Sequence, residues 1–162
     1  MRLLLRSNAH RPTADGWEVA ASPDTPNREV WQWDLRLVHS HAGSAEPGPG
    51  SERQAVSLPA RDGSALTVQL TCDPTRVVAR TEVMIAGAPA TVERDVRELT
   101  VLVVGQGRAR LEGRHELGAL DAMVLEGDDP LTLAVERVGT EPTSVGVVRI
   151  RSAVEQPISW VP

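Results

Sequence analysis

A chain of 162 residues with a formal net charge of −5 is long enough for one domain with a sizeable core, and one compact unit is expected. It carries no basic cluster, which excludes a general binder of nucleic acid or of anionic membranes. All 17 basic side chains are arginine, so Schiff-base lysine chemistry and any lysine general base are excluded too, while arginine suits carboxylate and phosphate partners.

The chain opens with MRLLLR, whose apolar run is too short for a signal-peptide core or a membrane span, and a cytoplasmic protein is expected. Helical periodicity is hard to find beyond it. Short apolar runs recur about every ten residues between Gly, Pro and Asp, the spacing of an all-β sandwich or barrel. They predict strands over 3–5, 29–41, 54–58, 65–72, 76–79, 82–85, 91–94, 99–104, 108–112, 122–125, 131–138 and 144–150. Asp62-Gly63, Asp73-Pro74, Gly87-Ala88-Pro89, Gly105-Gln106-Gly107 and Gly127-Asp128-Asp129-Pro130 supply positive φ, side-chain capping or a fixed φ, and predict hairpin-like reversals. GSAEPGPG, residues 43–50, reads as an exposed loop.

Alternation assigns the faces. In ALTVQLTC, residues 65–72, Leu66, Val68, Leu70 and Cys72 share an inward face. Cys72 is the only cysteine, which excludes an internal disulfide and a cysteine-rich zinc site; it is expected to pack rather than react. ELTVLVVG is apolar on both faces, as expected of a central strand covered on each side. GQGRARLEG lies between two strands with no following helix, so it is a turn and not a phosphate loop. The passages at 81–94 and 120–137 each run from an acidic residue through a Met-containing strand and a Gly- and Pro-bearing turn to a strand ending Glu-Arg. That rhyme suggests an internal duplication of a strand-turn-strand unit.

The succession of strand, Gly-rich turn and strand, then GALDAMVLEGDDPLTL and a final VGVVRIR, resembles a cupin. WQWDLRLVHS, the acid-arginine pair in SERQAVSL, and RELTVLVV are similar to the HutD (Ves) family within the cupins. The N-terminal W-x-N-G-G signature of that family is replaced here by RPTADGWEVAASPD. The resemblance implies an all-β, cupin-type double-stranded β-helix, or jelly roll, built as a compact two-lobed bicupin. A first lobe over 1–96 and a shortened second lobe over 97–162 would pack as one unit. It implies a pocket in one or both lobes, a link to histidine utilisation and no assigned catalytic activity. Asp121 resembles the turn aspartate of cupins, whose role is structural.

The strand at 29–41 carries the candidate site. A period of two places Trp31, Trp33, Leu35, Leu37, His39 and His41 on one face, and Gln32, Asp34, Arg36, Val38 and Ser40 on the other. If the first face lines the barrel, both imidazoles enter a cavity. Glu46 falls at the H-x-H-x-x-x-x-E spacing that the cupin resemblance connects with metal, but Ala90 and Leu131 stand where the third histidine would come. The expected occupant is therefore a small polar or anionic metabolite, held by Trp31, Trp33, His39, His41 and Arg53, with no metal cofactor and no catalytic residue assigned. The alternative is a small cupin isomerase, cyclase or dioxygenase using His39 and His41 as acid-base groups, or as ligands, with Glu46, to one divalent metal. A third reading is an assembly role through a sheet edge or dimer interface, and a homodimer is among the expected states.

Overall fold

The computed structural model describes residues 3–21, 33–39, 47–59, 65–154 and 158. Over these the punctuated apolar runs form antiparallel sheets, since alternation buries one face of each strand while the ladder satisfies its backbone. In chain order the strands are β1 (Leu3–Leu5), β2 (Arg11–Pro12), β3 (Gly16–Ala21), β4 (Trp33–His39), β5 (Glu52–Pro59), β6 (Ala65–Cys72) and β7 (Val77–Ala86). There follow β8 (Ala90–Glu93), β9 (Glu98–Gln106), β10 (Ala109–Leu111), β11 (His115–Leu117), β12 (Ala122–Leu125), β13 (Thr132–Arg137) and β14 (Thr143–Ser152). Among the described residues the one helical element is a short 3-10 turn, Ser7–Ala9, and no helix is long and apolar enough to cross a membrane.

The strands make three layers: an outer sheet ordered β2-β3-β4-β6-β5, a central sheet ordered β1-β12-β9-β14-β7, and a second outer sheet ordered β11-β10-β13-β8. Two hydrophobic cores lie between them. The first gathers Leu35, Leu37, Leu58, Val68 and Leu70 with Val101, Val103, Val148 and Ile150. The second gathers Leu111, Leu117, Leu133 and Val135 with Leu102, Val104, Val145 and Val147. Alternate residues of β9 and β14 thus feed opposite cores, and the doubly apolar run Leu99 to Val104 is 0 % exposed throughout, the burial expected of a strand covered on both sides.

The first outer sheet lies close against two glycines of the central sheet. A Cβ on Gly105 would lie 2.6 Å from Leu58 Cβ, and one on Gly146 would lie 3.1 Å from Val68 Cγ2. A larger residue at Gly105 would push the layers apart in an interior already at crystal-like density.

Several expectations are refined. Residues 76–79 and 82–85 belong to one continuous ten-residue strand, β7, whose Arg80, Thr81 and Glu82 break the apolar pattern without breaking the ladder. β2, β3 and β11 have no counterpart among the predicted strands, because RP and HEL are very short and GWEVAA lacks a β-branched run. Of the 29–41 strand, 33–39 is observed as β4 and the rest lies outside the described residues. Most of the predicted reversals are also not hairpins. Asp73-Pro74 leads from the first outer sheet to the central one, and the turns at 87–89, 107–108 and 126–131 lead from the central sheet to the second outer one. Turn chemistry reverses the chain in both cases, but only cross-strand burial decides whether the next strand pairs with the last or crosses over it.

The repeated passages take equivalent places. β7 to β8 and β12 to β13 each pass from the central sheet to the second outer sheet, where β8 pairs with β13 from Ala90↔Val135 to Glu93↔Thr132. The sheets interleave across residue 96: β7 pairs with β14, β8 with β13 and β1 with β12.

Candidate functional site

The residues singled out on β4 and β5 do not converge. Trp33 is 3 % exposed and is part of the first core. Inward alternation holds through Leu35 and Leu37, and Asp34 turns outward to pair with Arg36 at 2.7 Å. His39 shares the inward row with Leu66 and Leu58, yet it is exposed. The strand has run past the end of its cover, so the expected inward imidazole is corrected to one at the solvent end. Its ring leans on Trp17, with centroids 5.2 Å apart and planes at 59°, and its amide donates to Asp15 O at 3.1 Å.

Trp33 and His39 stand six positions apart on β4, about 20 Å at the strand rise. Arg53 is aligned with Thr71 and, through it, with Asp34, on the face opposite Trp33. Trp31, His41 and Glu46 lie outside the described residues. Of the metal donor set only His39 is described, and among the described residues no three His, Cys, Asp or Glu side chains gather to hold an ion. No step is therefore derived through a metal. Cys72 is buried, and burial, with the Glu52 and Asp73 carboxylates adding to it, pushes its thiol up to about 11. It stays protonated at neutral pH and is a packing residue.

A different set of side chains does converge, on the face of the central sheet that looks toward the second outer sheet. Strand register aligns four rows across β7, β14 and β9: Met84–Val145–Val104, Glu82–Val147–Leu102, Arg80–Arg149–Thr100 and Val78–Arg151–Glu98. The first two rows contribute apolar residues to the second core. The last two are rich in charge. Arg149, with its side chain 19 % exposed, reaches Glu82 Oε1 at 2.7 Å and Glu98 Oε1 at 3.3 Å. It also donates to the Glu93 carbonyl. Thr100 Oγ1 donates to the same Glu98 oxygen at 2.9 Å. The buried Glu98 carboxylate is thus compensated from two sides, as a carboxylate in a low-dielectric setting must be.

Two adjoining concavities open over this charged end. One, of about 380 Å³, is lined by Val78, Asp95, Arg97, Arg151, Ala153 and Val154, together with Ser152. The other, of about 340 Å³, shares Val78 and Arg151 and adds Arg80, Glu93, Glu98 and Arg149. Both fall in the size range of small-molecule sites. Arg80 pairs with Glu82 at 3.5 Å. Among the described residues Arg97 and Arg151 make no side-chain hydrogen bond or ion pair, and both are exposed. Val78 and Val154, beside them, are 50 % and 54 % exposed.

The scaffold behind these side chains is firmly held. Arg151 sits in a strand laddered on both edges, opposite Val78 and Glu98. Arg97 lies on the connection from β8 to β9, and the buried Arg94 beside it fixes that connection. The Arg94 guanidinium donates to the carbonyls of Pro130 (3.0 Å), Asp95 (3.2 Å), Glu98 (2.9 Å), Gly127 (2.6 Å) and Asp129 (2.6 Å). Its counterpart in the repeated passage, Arg137, is exposed, so the repeat preserves topology but not this latch. Asp121 is likewise structural. Burial would raise its pKa, but amide donors from Gly118 and Ser7 and the Arg6 guanidinium at 2.7 Å outweigh it and hold the carboxyl below its ordinary value.

No family model and no curated protein sequence gives a significant match to the chain. Solved structures do. A conserved protein of unknown function, PA5104 from Pseudomonas aeruginosa PAO1, superposes with a TM-score of 0.71 at 17% identity, over 94% of this chain and 99% of that one. HutD from Pseudomonas fluorescens SBW25 gives 0.62 at 12% identity over 95% and 100%. The bacterial pirin YhhW from Escherichia coli, in complex with nickel(II), gives 0.53 at 9% over 92% and 98%. Identities this low carry the fold alone, and the fold is the all-β, cupin-type jelly roll.

Proposed function

We propose that this chain is a HutD-like, metal-independent cupin-type protein that binds a small anionic metabolite and serves as a binding or regulatory protein. The observation that carries the reading is the pair of guanidiniums without partners among the described residues, Arg97 and Arg151, lining adjoining concavities. An arginine fork held on rigid backbone and open to solvent is matched to a carboxylate or phosphate, and among the described residues no carboxylate pairs with it. The binding face of this proposal is therefore the charged end of the central sheet and not the set Trp31, Trp33, His39, His41 and Arg53. Likeness to HutD over the whole chain is compatible with the reading but names no ligand.

Thermal unfolding of the purified protein tests it, with acetate, longer aliphatic carboxylates and inorganic phosphate each at 10 mM against sodium chloride of equal ionic strength. At 10 mM, about ten times the Kd of a millimolar binder, the ligand adds roughly 1.4 kcal/mol to stability, which raises Tm by a few degrees. Elemental analysis of the same sample is expected to show less than one divalent metal per ten chains. No shift with any anion, or one metal per chain whose chelation abolishes the shift, contradicts the proposal.

A further inference from the structure

We infer that the ligand of the arginine face is a monoanionic carboxylate carrying a compact aliphatic body, and not a phosphate or a polyanion. This rests on the anion-binding reading above. Three observations point to it.

Charge balance is the first. Around the concavity lined by Arg97 and Arg151, Asp95 offsets one of the two cations; around its neighbour, Glu93 and Glu98 face Arg80, Arg149 and Arg151. Arg149 is already committed to Glu82 and Glu98, and Arg80 to Glu82. Within the first concavity two guanidiniums therefore face one carboxylate, an excess of one positive unit that a single carboxylate neutralises. A polyanion would set its further charges against Asp95 and Glu93, and like charges brought together at short range disfavour binding.

The second is the wall. Val78 and Val154, half-exposed beside the two free guanidiniums, and Ala153 between Ser152 and Val154 present hydrocarbon to the same concavity. Val78 stands directly opposite Arg151 in register, so an anionic head on Arg151 places its attached carbons over that valine. Removing such carbons from water adds affinity for an aliphatic body that inorganic phosphate cannot supply.

The third is the held backbone from which both arginines spring. Arg151 is held by ladders on both sides. Arg97 is held by its amide donating to Asp95 Oδ1 at 2.9 Å and by the Arg94 latch one turn before it. With the backbone already held, closing on one small head group costs only side-chain freedom and no loop ordering.

The test is an NMR titration of the full chain, following the Arg97 and Arg151 Nε–H resonances with 3-methylbutanoate, acetate, inorganic phosphate and 3-methylbutan-1-ol. The expected order is 3-methylbutanoate about tenfold tighter than acetate, from partial burial of its added hydrocarbon, with the alcohol giving no shift of either resonance. R151Q is expected to weaken 3-methylbutanoate at least tenfold with Tm unchanged, and V78S to reduce it to about the affinity of acetate. Phosphate binding more tightly than 3-methylbutanoate, in an R151Q-sensitive way, overturns this inference and leaves the anion-binding function standing. Failure of every anion to move either resonance overturns both.

Discussion

The strand β14 shows two ways of ending a buried face. On one side Val148 and Ile150 continue the first core to the end of the strand, each 0 % exposed. On the other, Val145 and Val147 serve the second core and are followed by Arg149 and then Arg151, with exposure rising from 1 % at Val147 to the open Arg151. The difference lies in the cover. The first core still covers its face at Val148 and Ile150, whereas the second outer sheet ends with β8 at Glu93 and leaves Arg80, Arg149, Val78 and Arg151 lining an open concavity. A face without cover gains nothing from apolar side chains, and here it carries guanidiniums, two of them without partners among the described residues. The proposed binding surface lies where one core stops short.

That contrast is broken most severely by removing Arg149, which joins the two regimes. R149A leaves the buried Glu98 carboxylate, 8 % exposed, without its cation, and is expected to cost about 3–5 kcal/mol in urea-unfolding free energy. The compensated double variant R149M/E98Q should recover most of that loss, because an apolar replacement of a buried pair is often neutral. An equal cost for the single and double variants would show that Arg149 acts through packing alone. On the opposite face I150A removes a fully buried side chain from the first core and should cost about 2–4 kcal/mol through lost burial and a residual cavity. It is expected to leave anion binding at the arginine face unchanged. A cost below about 1 kcal/mol would mean that the first core does not extend to the end of β14.

Much of this was legible in the residues. β1, β6 and β12 fall where alternation and apolar runs placed them, and the doubly apolar 99–104 run announced a strand covered on both sides. The sorting of strands among three layers was not legible, since the turns at 73–74, 87–89 and 127–130 have the same chemistry whether they close a hairpin or cross between sheets. Parity on β4 correctly put Trp33, Leu35 and Leu37 inward, but parity says nothing of where the cover ends, and His39 lies beyond it. The same ignorance of cover hid the arginine face. Its signal was present in VGVVRIR, where Arg149 and Arg151 occupy the parity of Val145 and Val147, so that charge stands where the period calls for core. Arg80 and Glu82 in the middle of β7 repeat that signal, and only the register of β7, β14 and β9 brings them to one place.

The central claim is that the uncapped rows of the central sheet, and not the His39 end of β4, receive the ligand. A crystal structure of the protein soaked with 3-methylbutanoate tests it most directly. The account predicts carboxylate density within hydrogen-bonding distance of the Arg97 and Arg151 guanidiniums, with the isopropyl group against Val78. Density for the carboxylate beside His39 and Trp17, with the Arg97–Arg151 concavity holding only water, would contradict it.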